Sequence, residues 1–230
     1  PTVKTTKSKA PAYNAKSSLN SVTDKSDFDN LVSRTCVATC FFDMQTLESL
    51  GIREMVVDLL RAGGFENVWE MAHPTYPLLT CEFLASVYWI VKPNLGEVQD
   101  PLFGFRMRMT RHTMTLRELR DLLTITKPPV VDALFVLDKS KETDFFRTIT
   151  GDLSISGTDK SYMLVHPALR LLHRFLNFGY LGQGELTKLP NSSIKYLWCL
   201  NEKNETPEWA ALFIWACRGM RASTGPKSDT

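Results

Sequence analysis

The chain has 230 residues, of which 43% are hydrophobic, so it can bury a sizeable core as one domain with a tail. Lys and Arg total 27 and Asp and Glu total 25, and this net charge of +2 excludes a surface that is basic throughout. Five irregularly spaced cysteines, no apolar run of the roughly 18 residues that span a bilayer and no signal-peptide core indicate a reduced intracellular protein, cytoplasmic or nuclear, outside any membrane.

The first 27 residues are rich in Lys, Ser and Thr and hold five lysines, but they offer almost nothing to bury. They are predicted to form a disordered basic arm, and residues 222–230 a disordered tail, on either side of a helical domain at residues 28–221. Two interpretations of the arm stay open: a weak electrostatic contact with RNA, DNA or an acidic partner, or a solubilising linker. Pro1 at the start indicates a fragment or a processed chain.

The first part of the predicted domain carries helical patterns. Phe28 begins the first apolar cluster. Asp43 or Thr46 is a suitable cap for a helix pair that ends at Gly63-Gly64. The run from Thr80 to Val91 has large apolar side chains at helical spacing, which predicts a buried helix.

The period of the sequence changes in the next segment. From Phe103 to Thr110, apolar residues alternate with polar or basic ones, which predicts a strand with one basic face, and Arg111 to Thr113 interrupts that alternation. Thr115 and Glu118 form a Thr-x-x-Glu capping box that begins a helix ending near Leu123. In that helix four leucines are expected to face inward and four charged residues outward: Leu116, Leu119, Leu122 and Leu123 against Arg117, Glu118, Arg120 and Asp121.

Three short patterns follow, none of them long or strongly periodic. Val130 to Leu137 is apolar enough for a short helix or strand, Gly151 to Gly157 has the composition of a loop, and Tyr162 to Val165 suits a short strand.

Two stronger helical patterns end the chain. Pro167 is placed as the first residue of a helix to about Asn177, with three leucines inward and an outer polar face of Arg170, His173, Arg174 and Asn177. Ser192 or Ser193 can cap a helix that runs to Leu200, and Pro207 begins a last one, Glu208 to Met220. Together the elements predict a mainly α fold: a single compact multi-helix domain with a small β-hairpin or sheet near Phe103 to Thr115, preceded by the disordered basic arm.

No enzyme motif stands in the sequence. Cys36 and Cys40 are four residues apart, but the other cysteines and the histidines supply no second pair, so no metal site, no cofactor and no catalytic residue is expected. No nucleophile elbow, protease signature or phosphate loop surrounds any Cys or Ser. A thiol- or His-dependent enzyme stays as an alternative, because such partners meet only in the folded chain.

Two sets of residues are candidates for binding. The candidate nucleic-acid-binding residues are Arg106, Arg108, Arg111, Arg170, His173 and Arg174, which would form one patch if the strand and the Pro167 helix lay together. No aromatic residue alternates with these arginines, so the stacking part of a single-strand reader is missing, and a solvated face paired with acidic residues is the competing interpretation. Trp209, Phe213 and Trp215 cannot all lie on one narrow face of their helix. Either some of this apolar surface is left for a partner, or the helix is buried on both sides within its own domain.

The order and spacing of several stretches carry a resemblance. They are Arg34 to Cys40 before a helix with Leu47 to Gly51, Leu79 to Ser86, Phe105 to Leu123, and His166 to Arg174 leading into Asn191 to Leu200. In this layout the chain resembles the gag-like protein encoded by the first open reading frame of Athila-type plant LTR retrotransposons, and more distantly the plant mobile domain proteins.

The resemblance implies a mainly helical module of a mobile element, or a captured host copy, with no enzymatic activity and no small-molecule substrate. It also implies self-association and packaging of element RNA. The chain departs from many gag proteins because it has no zinc knuckle and no Asp-Thr/Ser-Gly protease signature. The alternative is a host protein-interaction module of the plant mobile domain kind, located in the nucleus.

Overall fold

A computed structural model of the chain has mainly α-helices and one small antiparallel sheet, so the predicted fold class is confirmed. The structure describes residue 19 and residues 22–34, 42–68, 75–92, 100–130, 137–151, 161–182, 187–202 and 205–222. Cys36, Cys40, His73, the first 18 residues and most of the weak segments near residues 130–137 and 151–157 lie outside that part. Among the described residues, no helix has the length and apolar character needed to cross a membrane.

Nine α-helices, one 3-10 helix and one π-helix make up the helical part of the described residues. The α-helices are α1 (Val22–Val32), α2 (Met44–Ser49), α3 (Arg53–Ala62), α4 (Pro77–Ser86), α5 (Leu116–Leu122), α6 (Lys139–Thr150), α7 (Pro167–Arg174), α8 (Asn191–Asn201) and α9 (Trp209–Ala222). The 3-10 helix is Ser161–Met163, and the π-helix Phe175–Tyr180 continues α7. The sheet has the order β1 (Tyr88–Val91), β2 (Leu102–Met107) and β3 (Thr110–Thr115).

Most buried side chains form one core, which has an aromatic centre. The ring of Phe65 lies 5.0 Å from that of Trp209, 5.1 Å from that of Tyr180 and 5.6 Å from that of Phe175, measured between centroids. The Tyr180 hydroxyl donates to the Trp209 carbonyl at 3.0 Å, which ties the π-helix to the start of α9. A separate, smaller cluster holds α1 against α4.

Several predicted helix ends are confirmed by their hydrogen bonds. Asp43 accepts from the backbone amides of Gln45 and Thr46 at 2.9 and 3.0 Å, as an N-cap does. The capping box of α5 is closed in both directions: the Thr115 hydroxyl accepts from the Glu118 amide at 3.2 Å, and the Glu118 carboxylate accepts from the Thr115 amide at 2.8 Å.

Other helix predictions were wrong. On α5, Leu122 is 64% exposed and Arg120 is largely buried, because α9 packs against the side of α5 that carries Arg120. Helix α8 begins after Pro190 without a side-chain cap, and Ser193 lies inside it, buried. Residues predicted as a strand near Tyr162 form a 3-10 helix.

The folded part also begins earlier than the predicted Phe28. Helix α1 starts at Val22, and the Leu19 side chain is 1% exposed in the cluster with Phe28 and Leu31. Helix α6 was not predicted from the sequence, although Asp138 caps its start and Gly151, with φ of 75°, ends it in the left-handed conformation that glycine adopts without strain.

The segment from Thr80 to Val91, which was predicted as one helix, is divided between a helix and a strand. Helix α4 ends at Ser86, and Tyr88–Val91 pair with β2 as a strand. The sequence Tyr-Trp-Ile-Val favours a strand by propensity, and the backbone partners that decide the matter come from β2, more than ten residues later.

Candidate nucleic-acid interface

The predicted basic strand is one arm of a hairpin with Arg108 and Met109 at its turn. Both residues have positive φ, 50° and 65°, which is the backbone of a two-residue type I′ turn. Residues other than Gly and Asn rarely take this conformation, so the turn carries strain at an exposed cationic position. The chain then continues as β3, so Arg111 to Thr113, which interrupt the apolar alternation, lie inside the small hairpin predicted near Phe103 to Thr115.

Strand pairing brings the basic residues onto one face of the sheet. Arg106 of β2 lies directly opposite Arg111 of β3. Two residues earlier on β2, Gly104 pairs with Tyr88 of β1 on one side and with Thr113 of β3 on the other. Residues opposite one another, and residues two apart on a strand, share a face. This face, which carries Tyr88, Gly104, Arg106, Arg111 and Thr113, is named the outer face below.

Tyr88 supplies the aromatic ring that is missing from the alternating pattern around the arginines. The ring lies against Gly104, where an added Cβ would come within 2.7 Å of the ring carbon Cζ, so only glycine leaves room for it. The guanidinium carbon of Arg111 lies 5.4 Å from the ring centroid, a cation–π contact. Tyr88 was missed because it was assigned to a helix, and the run of strand-forming residues after Ser86 was the signal for it.

Helix α4 fixes the backbone of β2 beneath this face. The Ser86 hydroxyl accepts from the Arg106 amide at 2.8 Å. The carboxylate of Glu82, a fully buried residue, accepts from the Arg108 amide at 3.2 Å. Two polar side chains of α4 thus hold the strand and its turn. Arg106 and Arg111 stay directly opposite one another on the sheet, and like charges in that position lower the stability of the fold.

The second half of the predicted patch lies elsewhere. Arg170 and Arg174 are exposed on α7, whose main packing partners are α3, α8, the 3-10 helix and the π-helix. The hairpin packs mainly on β1, α4 and α5. The structure therefore groups Arg106, Arg108 and Arg111 with Tyr88, and it separates this group from Arg170 and Arg174, which lie on an element outside the main packing neighbourhood of the hairpin.

His173, a candidate residue on the predicted polar face, is buried with no exposed surface. Its Nε2 lies 2.7 Å from the Nδ2 of Asn177, and the Oδ1 of Asn177 accepts from the Ser193 hydroxyl at 2.9 Å. Since the Asn177 amide must donate to the ring, the ring proton is on Nδ1. His173 and Asn177 face inward because the π-helix after Arg174 packs this side against α8.

Acid is expected to destabilise the fold through His173. Burial lowers its pKa to about 4 from the ordinary 6.5, with the backbone of Lys188 opposing this shift and the charge of Arg174 adding to it. The unfolded chain therefore binds the proton first, so stability falls as the pH drops from about 6.5 to about 4, by up to about 3 kcal/mol. Urea unfolding across this pH range measures the loss.

Replacing His173 by Gln should remove most of this pH dependence, even if it lowers stability at neutral pH. The matched control is His112→Gln, because His112 is exposed on β3. If the slope of stability against pH in this window is unchanged in the His173 variant, the assignment is wrong.

The three predicted interaction residues lie in the core or pack against it. Trp209 is 1% exposed, which corrects its assignment as a contact residue for a partner. Trp215 is half-buried with its ring 6.2 Å from that of Trp89. Phe213 is half-buried and lines an apolar groove of about 530 Å³ between α1, α4, the π-helix and α9, named the α1 groove below.

The buried thiols do not have the properties of nucleophiles. Burial raises the pKa of the Cys199 thiol and that of the Cys217 thiol to about 12. A catalytic cysteine needs a lowered pKa, because the thiolate is the reactive form. Cys81 is half-buried and lines the α1 groove.

We therefore expect a fixed order of alkylation at neutral pH. In a chain with Cys36 and Cys40 replaced by Ser, Cys81 should react first with iodoacetamide, and Cys199 and Cys217 should react only on unfolding. Mass spectrometry of labelled peptides over time measures the order. Rapid labelling of Cys199 or Cys217 in the native chain would restore the thiol-enzyme alternative.

Within the described residues, no three His, Cys, Asp or Glu side chains come together as a metal site would require. Comparison of the chain with protein-family models, with curated proteins and with solved structures finds no match.

Proposed function

We propose that the chain is a non-enzymatic, gag-like protein of a plant LTR retrotransposon, or a host copy of one, which self-associates and holds single-stranded nucleic acid on the outer face of its sheet. The layout that resembles the Athila-type proteins supports the gag-like part. The nucleic-acid part is supported by the outer face itself.

One observation carries the nucleic-acid contact: the ring of Tyr88 lies under the Arg111 guanidinium and on the same face as Arg106. Aromatic rings stack on bases of any sequence, while arginines beside them neutralise phosphates. A duplex offers its phosphates but keeps its bases stacked, so this combination favours single strands. The face has no array of side chains for reading base edges, and binding is expected to be weak, salt-dependent and tolerant of sequence.

A second candidate is a host module that binds another protein. The α1 groove favours it, because a concave apolar surface suits an apolar segment of a partner. The two candidates differ in whether the outer face binds nucleic acid.

The test is binding of a fluorescent oligouridylate, and of a duplex of equal length, to the full chain across a salt series. Replacing Arg106, Arg108 and Arg111 by Gln should reduce the slope of log affinity against log salt by about 2, since each single-strand phosphate contact contributes about 0.7. Tyr88→Leu should weaken single-strand binding by about 1 to 3 kcal/mol through lost stacking, with little change in slope.

Two matched variants serve as controls. Arg170→Gln with Arg174→Gln removes two exposed arginines from α7 and should leave affinity nearly unchanged. Met109→Gly relieves the left-handed turn and keeps every arginine. A chain that ignores RNA at low salt, or one whose binding depends on α7 and not on the hairpin, would contradict the proposed interface.

A further inference from the structure

Helix α1 is attached to the domain by a core of its own. Leu19, Phe28 and Leu31 are buried together with Ala85 of α4, and Cys81 and Leu84 of α4 complete this cluster. Its fully buried residues are distinct from those of the main core, Leu84 packs against both, and α4 is the main packing partner of α1. The buried apolar contacts of this cluster are therefore supplied by α1, by Leu19 before it and by one other helix.

The rest of the domain meets α1 across a cavity. Leu31 and Val32 line the α1 groove, and Phe213, Cys217 and Met220 of α9 line it too. Val32 is 45% exposed. Dense packing, which normally locks a helix in place, is thus missing at the C-terminal end of α1.

We propose that α1 exchanges between two copies of this chain, each copy docking its α1 on the α4 of the other to form a symmetric dimer. The same cluster forms within one chain or between two chains, so exchange needs no new complementary surface, which makes it a low-cost route to a dimer. In the sequence, residues 35–41 separate the last described residue after α1 from the first before α2. From residue 34 to residue 42 there are eight residue-to-residue spacings, which span about 28 Å at most. This length is enough to reach across an interface to a second copy.

This inference rests on the self-association of the proposed function and supplies its contact. It is tested with two full-length chains, both with Cys36 and Cys40 replaced by Ser. The first also carries Leu31→Cys and Cys81→Ser; the second keeps Leu31 and Cys81. Leu31 and Cys81 line the same groove and pack in the same cluster, so a disulfide between the introduced thiol and Cys81 can form only between chains.

The two chains are mixed over a range of concentrations, oxidised and separated on non-reducing gels, and sedimentation is measured in parallel. We expect a reducible dimer that increases with concentration and follows the dimer fraction seen by sedimentation. It should fall at least tenfold when the second chain carries Cys81→Ser. A chain with Leu31→Cys that keeps its own Cys81 should form the intramolecular disulfide when dilute, which shows that α1 still docks. If Leu31→Cys prevents this docking, Phe28→Cys is used in place of Leu31→Cys.

The outcomes separate the two ideas. A dimer in sedimentation that gives no mixed disulfide, while the intramolecular one forms, overturns the exchange and leaves self-association standing. A monomer at every concentration overturns the exchange and the self-associating half of the proposed function together. Neither result changes the RNA titration, which measures the outer face.

Discussion

Glu208→Gln is expected to lower the free energy of unfolding by about 3 to 5 kcal/mol, because it leaves a charged Arg120 without its partner in a mostly buried site. The Arg120 and Glu208 side chains are 17% and 12% exposed, and their ion pair joins α5 to the residue before α9. Burial raises the pKa of Glu208 despite the opposing charge of Arg120, so desolvation is the larger effect on this carboxylate. Urea denaturation at neutral pH measures the change.

The double variant Arg120→Met with Glu208→Leu is expected to regain most of that loss, since apolar side chains of similar volume avoid desolvating either charge. Glu48→Gln is the control: its pair with Arg53 is exposed, and its loss should cost less than about 1 kcal/mol. A cost below about 1 kcal/mol for Glu208→Gln would mean that water reaches the pair.

Leu172→Ala is expected to cost about 2 to 5 kcal/mol, because the side chain has no exposed surface and its removal leaves a cavity between α7 and its neighbours. Leu119→Ala, on α5, should cost a similar amount, as Leu119 is 4% exposed. Thermal and urea unfolding of the full chain measure both.

Leu122→Ala makes the same chemical change at a residue that is 64% exposed, and it should stay within about 0.5 kcal/mol of the parent. Equal losses at Leu122 and Leu172 would show that α7 is not packed as described.

Local signals predicted those parts of the fold that depend on neighbours in sequence. The Thr115 capping box, the Asp43 cap and the start of α7 at Pro167 need only a few consecutive residues, and all three were found. Strand β1 was missed because its hydrogen-bond partners lie in β2, and the strand propensity of four residues did not outweigh the helical spacing that continues from α4.

The same limit applies to the candidate site. The arginines of the hairpin were visible as an alternating pattern, but Tyr88 joins them only through strand pairing. His173 was placed on a solvated face because helical periodicity assigns a face by polarity alone. Its partner Asn177, which accepts in turn from Ser193, makes inward burial possible, and Ser193 comes from another helix.

The π-helix after α7 bears on how this protein tolerates changes in length. Six residues, Phe175–Tyr180, form a stretch whose hydrogen bonds close one residue later than in an α-helix. A chain shortened by one residue here can continue α7 as an ordinary α-helix, keeping both flanking segments in phase, whereas a deletion within α3 or α8 rotates every later side chain of that helix by about 100°. Phe178 and Gly179 are half-buried, unlike their buried neighbours, so the loss of either is the deletion that the domain should accept most readily.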